Sequence, residues 1–128
     1  MIRPESRAVV IPCFNEGATI GALIAALRLQ LATVIVVDDG VATGATTRAA
    51  LRAIRKRSPK KLILAVPVAP TGTVAELEAE ADEVVCLQSH EPFHAIGLYY
   101  EDFHQVSDKE VIDLLSKALA LEEIGKNE

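Results

Sequence analysis

The chain has 128 residues, half of them hydrophobic and 24% charged, with a net charge of −5, which suits a single domain over 1–128 with a buried core. Nothing in this balance favours nucleic acid or a membrane surface as partner, and no apolar run approaches the length of a membrane span. The opening Met1–Arg7 has no signal-peptide core, and two cysteines, Cys13 and Cys86, make no disulfide framework, so a reducing, cytoplasmic setting is expected.

The first strand reads from Arg7 to Pro12, apolar without alternation, as when both faces of a parallel sheet are covered. Cys13–Gly17 is its exit loop. Ile20, Leu23, Ile24, Leu27 and Leu31 recur at helical spacing and predict an amphipathic helix over about Ala18–Gln30. Val34–Val37 is a strand of β-branched residues. A helix over Ala45–Arg57 buries Ala50, Leu51 and Ile54, turns Arg48, Arg52, Arg55, Lys56 and Arg57 to solvent, and stops at Pro59. A third strand covers Lys61–Pro67, and Pro70-Thr71-Gly72 is a turn. Thr73 and Glu76 stand at capping-box spacing and start a short helix to Ala81. A fourth strand spans Glu83–Leu87.

The loop 88–106 carries all three histidines and an aromatic cluster: Phe93, Tyr99, Tyr100 and Phe103. Ser107 and Glu110 form a second capping box. Val111, Leu114, Leu115, Ala118 and Leu119 make the added C-terminal helix amphipathic, and Gly125 is its expected stop. Strands alternating with helices predict an α/β fold: a three-layer, Rossmann-like domain with a four-stranded parallel sheet. Strand order 1-2-3-4 is preferred over 2-1-3-4. It places the crossover helices on one face, so the Ser107–Leu121 helix, or a second copy in a homodimer, has to cover the other.

The chemistry concentrates in Val34–Thr47. Asp38 and Asp39 follow the strand at its C-terminal end, where parallel sheets bind ligands. Val41, Ala42, Thr43, Gly44, Ala45, Thr46 and Thr47 make a small-residue, hydroxyl-rich loop running into a helix N-terminus. Such a loop brings backbone N–H groups, hydroxyl donors and a partial positive charge to an anion. The acids can accept hydrogen bonds from sugar hydroxyls or hold hydrated Mg²⁺. The stretch Val34–Thr47 resembles the phosphoribosyl-pyrophosphate (PRPP) motif of type I phosphoribosyltransferases. That resemblance implies Asp38 and Asp39 as ribose and Mg²⁺ contacts, and 41–47 as the 5′-phosphate loop. Gly40 departs from the pattern, which more often has an apolar residue there. From Val34 onward the chain is similar to the C-terminal half of that family, 34–128 including Leu62–Pro67, Glu83–Leu87 and Phe93–Phe103.

Residues 7–40 resemble instead the opening βα segment of family-2 nucleotide-sugar glycosyltransferases, through Val9–Glu16 and Val36–Gly40. That implies Pro12, Asn15, Glu16 and Asp39 as nucleotide-site positions. The glycosyltransferase pattern continues with Ser and Asp after Asp-Gly; here Val41-Ala42-Thr43 follows. The two resemblances meet at Val36–Gly40, so the chain reads as a chimera, natural or engineered. The expected function is binding of a ribose 5-phosphate or PRPP moiety with little or no turnover, since the pyrophosphate and flexible loops of the phosphoribosyltransferase pattern are not found. A carboxylate at Glu16 would also repel pyrophosphate unless Mg²⁺ intervenes. The alternatives are a truncated nucleotide-sugar glycosyltransferase and a scaffold without activity. The expected partner is a sugar phosphate or phosphate, and Mg²⁺ is the one cofactor the acids suggest. No resident metal site is expected: His90, His94 and His104 read as solvated or structural, Cys13 as a small packed side chain, and the aromatic cluster as a lid.

Overall fold

A computed structural model describes residues 8–12 and 33–126. Strand β1 (Ala8–Pro12) runs parallel to β2 (Thr33–Val37), with Ala8 beside Thr33 and Pro12 beside Val37. β3 (Lys61–Pro70) is parallel to β2 on its other side, and β4 (Glu83–His90) is parallel to β3, so the order is β1-β2-β3-β4. The helix expected over 18–30 lies outside the described residues.

One face of the sheet is built from alternate residues. Val34, Val36, Leu62, Leu64 and Val66 are all at most 3% exposed. They pack against Ala50, Leu51 and Ile54 of α1 (Ala45–Arg55) and Leu77 of α2 (Thr71–Leu77) in one core. The basic residues of α1 do not simply face water. Arg48 pairs with Glu76 (2.5 Å), Arg52 with Glu80 (2.7 Å) and Arg55 with Asp82 (3.2 Å), a ladder joining α1 to α2 and the turn after it. Asp82 also accepts the Leu62 N–H at 2.7 Å, and together these bonds hold its carboxyl below the usual carboxylate range.

Several boundaries differ from the sequence reading, each for a tertiary reason. α1 ends at Arg55: Ser58 takes a left-handed φ of 53° just before Pro59, and the N–H groups of Arg57 and Ser58 bond three residues back. β3 runs past Pro67 to Pro70 because β2 has already ended opposite Ala65. Beyond that point one side of β3 is an edge, where a proline without N–H is tolerated. β4 follows it to His90, recruiting Gln88 and Ser89 as partners of Val68 and Ala69. α2 starts at Thr71, with Pro70 as its cap and no side-chain cap bond. The Thr73–Glu76 capping box is therefore not made: Glu76 is drawn to Arg48, and Thr73 to the Ala42 carbonyl.

The Ser107–Glu110 box is made in both directions. Ser107 N–H donates to Glu110 Oε2 (2.8 Å), and Glu110 N–H donates to Ser107 Oγ (3.3 Å). It opens α3 (Asp108–Lys126), which includes Gly125 rather than stopping at it. The third layer expected of this helix is not formed, because its residues through Gly125 are all exposed, Leu114, Leu115 and Leu119 among them. Its start is secured locally by the capping box, which does not depend on burial against the sheet. Ile35, Ile63 and Ala65, on the other sheet face, stay half-buried, and Val85 and Leu87 are exposed.

Candidate functional site

The uneven lengths of β2 and β3 create the site. The chain leaving β2 keeps an edge of β3 beside it and bonds to that edge. Asp38 N–H donates to Ala65 O (3.4 Å) and Val41 N–H to Val68 O (3.1 Å). Gly40 and Val41 are buried, while Ala42 and Thr43 are exposed, so the loop is anchored up to residue 41 and bulges after it. Gly44 closes the bulge at φ 79°, ψ −2°, a left-handed conformation that glycine adopts without strain. Arg48 N–H then donates to Gly44 O (2.8 Å), the first bond of α1. α1 has no side-chain cap, so its first-turn N–H groups present the positive end of the helix to the loop.

Thr73 buttresses the bulge from α2. Its hydroxyl donates to Ala42 O (3.4 Å), and its methyl would lie 2.9 Å from a Cβ at Gly44. Thr43 accepts a long bond from Ala45 N–H (3.5 Å). Of the three loop threonines Thr43 is exposed, Thr46 half-buried and Thr47 buried. An open cleft of about 670 Å³ is lined by Val37, Asp38, Asp39, residues 40–47, Pro67, Ile96 and Tyr100.

Asp38 is half-buried and Asp39 exposed, and Asp39 N–H donates to Asp38 Oδ1 (2.8 Å). Burial, followed by the hydrogen bond with the Asp39 carboxyl, pushes Asp38 up to about 7. A carboxyl raised on folding binds its proton more tightly in the folded chain. Its contribution to stability is full below about pH 4 and is lost as pH rises to about 7. Asp38→Asn is expected to remove that downward slope. Urea unfolding midpoints at about pH 5 and about pH 8 check it: the parent should lose clearly more stability between them than the variant, in which the raised His104 still titrates. An unchanged slope in the variant would assign the titration elsewhere.

Over the acids lies a short 3₁₀ turn, Ile96–Tyr99, followed by Tyr100. The Tyr100 hydroxyl donates to the main-chain carbonyl of Asp39. Burial, with the nearby Asp39 and Asp38 charges, pushes that hydroxyl above its ordinary pKa. Tyr100 and Phe103 rings are 4.9 Å apart, and Tyr99 stacks on His90 (4.4 Å) and Phe93 (5.1 Å).

The structure therefore brings Asp38, Asp39 and all of 41–47 into one cleft. Pro12 stands level with Val37 in the sheet, at the same strand end, while Asn15, Glu16 and Cys13 lie outside the described residues. Pro67, Ile96 and Thr73 were missed as site residues. Their only sequence signal is a position at or after a strand's C-terminal end. Among the described residues no cluster of His, Cys, Asp and Glu suits a metal ion by itself. His90 is stacked, and His104 is paired with Asp102 (2.8 Å) and Glu110 (3.4 Å), which raise its pKa.

The phosphoribosyl transferase domain family matches residues 6–103, across the whole cleft. The chain belongs to that family. MT0597 of Mycobacterium tuberculosis (strain CDC 1551 / Oshkosh), which carries a provisional phosphoribosyl transferase name, is 46% identical over 84 residues, covering 66% of this chain and 19% of that protein. The succinoglycan biosynthesis protein ExoA of Rhizobium meliloti (strain 1021) is 32% identical over 131 residues, covering 94% of this chain and 37% of that one. The crystal structure of TT1426 from Thermus thermophilus superposes with a TM-score of 0.61 at 39% identity, covering 76% of this chain and 47% of that one. The chain thus spans less than half the length of each of these relatives. Among the described residues no helix is long and apolar enough to cross a membrane.

Proposed function

We propose that the cleft binds the ribose 5-phosphate end of a phosphoribosyl donor. The phosphate sits on the 41–47 loop, and the ribose hydroxyls on Asp38 and Asp39. The observation carrying this reading is that one cleft joins an uncapped helix N-terminus and left-handed Gly44 to a pair of adjacent carboxylates. The first suits an anion and the second a diol. Two carboxylates alone are a poor Mg²⁺ site; with oxygens of the ligand added they fit the ion's preference for mixed protein and ligand donors. When bound, Mg²⁺ would neutralise phosphate charge there. Transfer requires charge stabilisation on the departing pyrophosphate, and the described cleft lining has no lysine or arginine. The chain is accordingly proposed to bind with little or no turnover.

Similarity to ExoA favours a second reading, a nucleotide-sugar site using Pro12, Asn15, Glu16 and Asp39. The phosphoribosyl transferase match begins at residue 6 and the ExoA match covers 94% of the chain, so neither likeness is confined to one side of 34–40 and a union of two ancestries there gains no support. Calorimetric titration with ribose 5-phosphate, PRPP and UDP, each with and without Mg²⁺, separates these readings. Heat with the two ribose phosphates, strengthened by Mg²⁺, is expected. Preference for UDP would favour the glycosyltransferase reading, and no heat with any of them would leave an inactive scaffold.

A further inference from the structure

Gly40 does not have a left-handed φ, so conformational freedom is not what it supplies. It supplies space. A Cβ there would lie 2.6 Å from Ile96 Cγ2, 3.1 Å from Ile96 Cγ1 and 3.2 Å from Val68 Cγ1. Only a hydrogen fits between the loop and the turn above it. One residue earlier, the Asp39 carbonyl accepts the Tyr100 hydroxyl. The turn therefore grips the loop at two consecutive residues, through a bare Cα and a hydrogen bond. The turn is itself braced: Phe103 packs so closely on Gly97 that a Cβ there would come within 2.9 Å of its ring, and Phe103 also meets the Tyr100 ring. From the sheet side the same stretch is held by the Val41 N–H to Val68 O bond.

We propose that Tyr100 and Ile96 are positioning residues for the sugar-binding acids, and that Gly40 is the position that admits them. This rests on the ribose-phosphate reading of the cleft. The Asp39–Gly40 peptide is clamped between sheet and turn, and the clamp fixes the direction from which the Asp39 carboxylate meets a ligand hydroxyl. Val41, the first residue of the phosphate loop, is pinned separately to β3, and the loop bulges only after it, so the clamp acts on the sugar end of the ligand and leaves the phosphate end alone. A larger apolar residue at position 40 would hold the turn off and loosen the acids.

The test compares ribose 5-phosphate with inorganic phosphate by calorimetry in Gly40→Ala, Tyr100→Phe, Ile96→Ala and Gly40→Ala/Ile96→Ala. Tyr100→Phe keeps the ring and removes the one bond, and should weaken ribose 5-phosphate about 3–10-fold. Gly40→Ala should weaken it about tenfold or more, while inorganic phosphate changes by less than about twofold in both variants. Truncating Ile96 makes room for the added methyl, so the double variant should bind ribose 5-phosphate within about threefold of Ile96→Ala alone. Retained inorganic phosphate binding in Gly40→Ala is what separates loosened acids from a misfolded chain, which would lose both ligands. Equal losses for both ligands, or unchanged ribose 5-phosphate binding, would overturn the proposal. A parent chain that binds inorganic phosphate but no ribose 5-phosphate removes the sugar-site reading itself, and the proposal with it.

Discussion

Gly44→Val is expected to abolish inorganic phosphate binding while lowering stability by about 1–3 kcal/mol. Two independent costs meet at this residue. Its φ of 79° is strained for any β-branched side chain, and a Cβ would lie 2.9 Å from the Thr73 methyl, which itself is tethered to the Ala42 carbonyl. The loop can relieve both only by moving the bulge, and the bulge is what aims its N–H groups. A thermal melt alongside the titration separates lost binding from lost fold. Asp39→Asn is the matched control, and should leave inorganic phosphate binding unchanged or slightly tighter, because it removes a negative charge near a bare anion. Phosphate affinity surviving Gly44→Val intact would count decisively against an anion site on this loop.

The largest stability effect is expected at Leu64→Ala, about 2–5 kcal/mol. Leu64 is fully buried in mid-β3, with Val36 and Val84 as its neighbours across the two ladders. Truncation leaves a hole that neighbouring strand backbones cannot close, since both are held by their own pairing. β3 also supplies the carbonyls of Ala65 and Val68 that anchor the phosphate loop, so loosened packing should reach the site as weaker ligand binding. Leu114→Ala, at a 60% exposed position of α3, is the contrast and should change stability little. Urea denaturation of the two variants checks this; a loss below about 1 kcal/mol at Leu64 would mean that the core is not close-packed there.

Much of the site was legible in the chain because its chemistry is contiguous. The acids, the small residues and the threonines lie within ten residues of one another, from Asp38 to Thr47, between a strand and a helix. Sequence spacing there is close to spatial spacing. The turn over the acids was less legible. Tyr100 sits 61 positions from the carbonyl it bonds, so its place depends on how β3 and β4 bring the chain back. The departure at Gly40 can be seen in the sequence, but its reason is Ile96, which no local pattern connects to it.

Two segments of like spacing show where local information stops. Ser107 and Glu110 cap α3 reciprocally, whereas Thr73 and Glu76, also three apart, do not cap α2. The first pair lies on an exposed segment with nothing stronger to bind than each other and His104. The second pair lies between α1 and the phosphate loop, where Arg48 and the Ala42 carbonyl compete successfully for them. The same competition explains the ladder of α1 arginines, which by periodicity alone is a solvated face.

The sequence by itself determined the four strands, the presence of α1, α2 and α3, the parallel α/β plan and the loop that carries the acids and small residues, but not the helical start at Thr71 or the 3₁₀ turn Ile96–Tyr99. What it determined depends on periodicity, proline and glycine punctuation, and residue type, all of which act over a few positions. Only the tertiary structure decided the extent of β3 and β4, the exposure of α3 and the docking of Ile96 and Tyr100 over the acids. Each of these is settled by a partner far along the chain, through a ladder bond, an ion pair or the room left by a missing side chain, and such partners exist only once the sheet has formed.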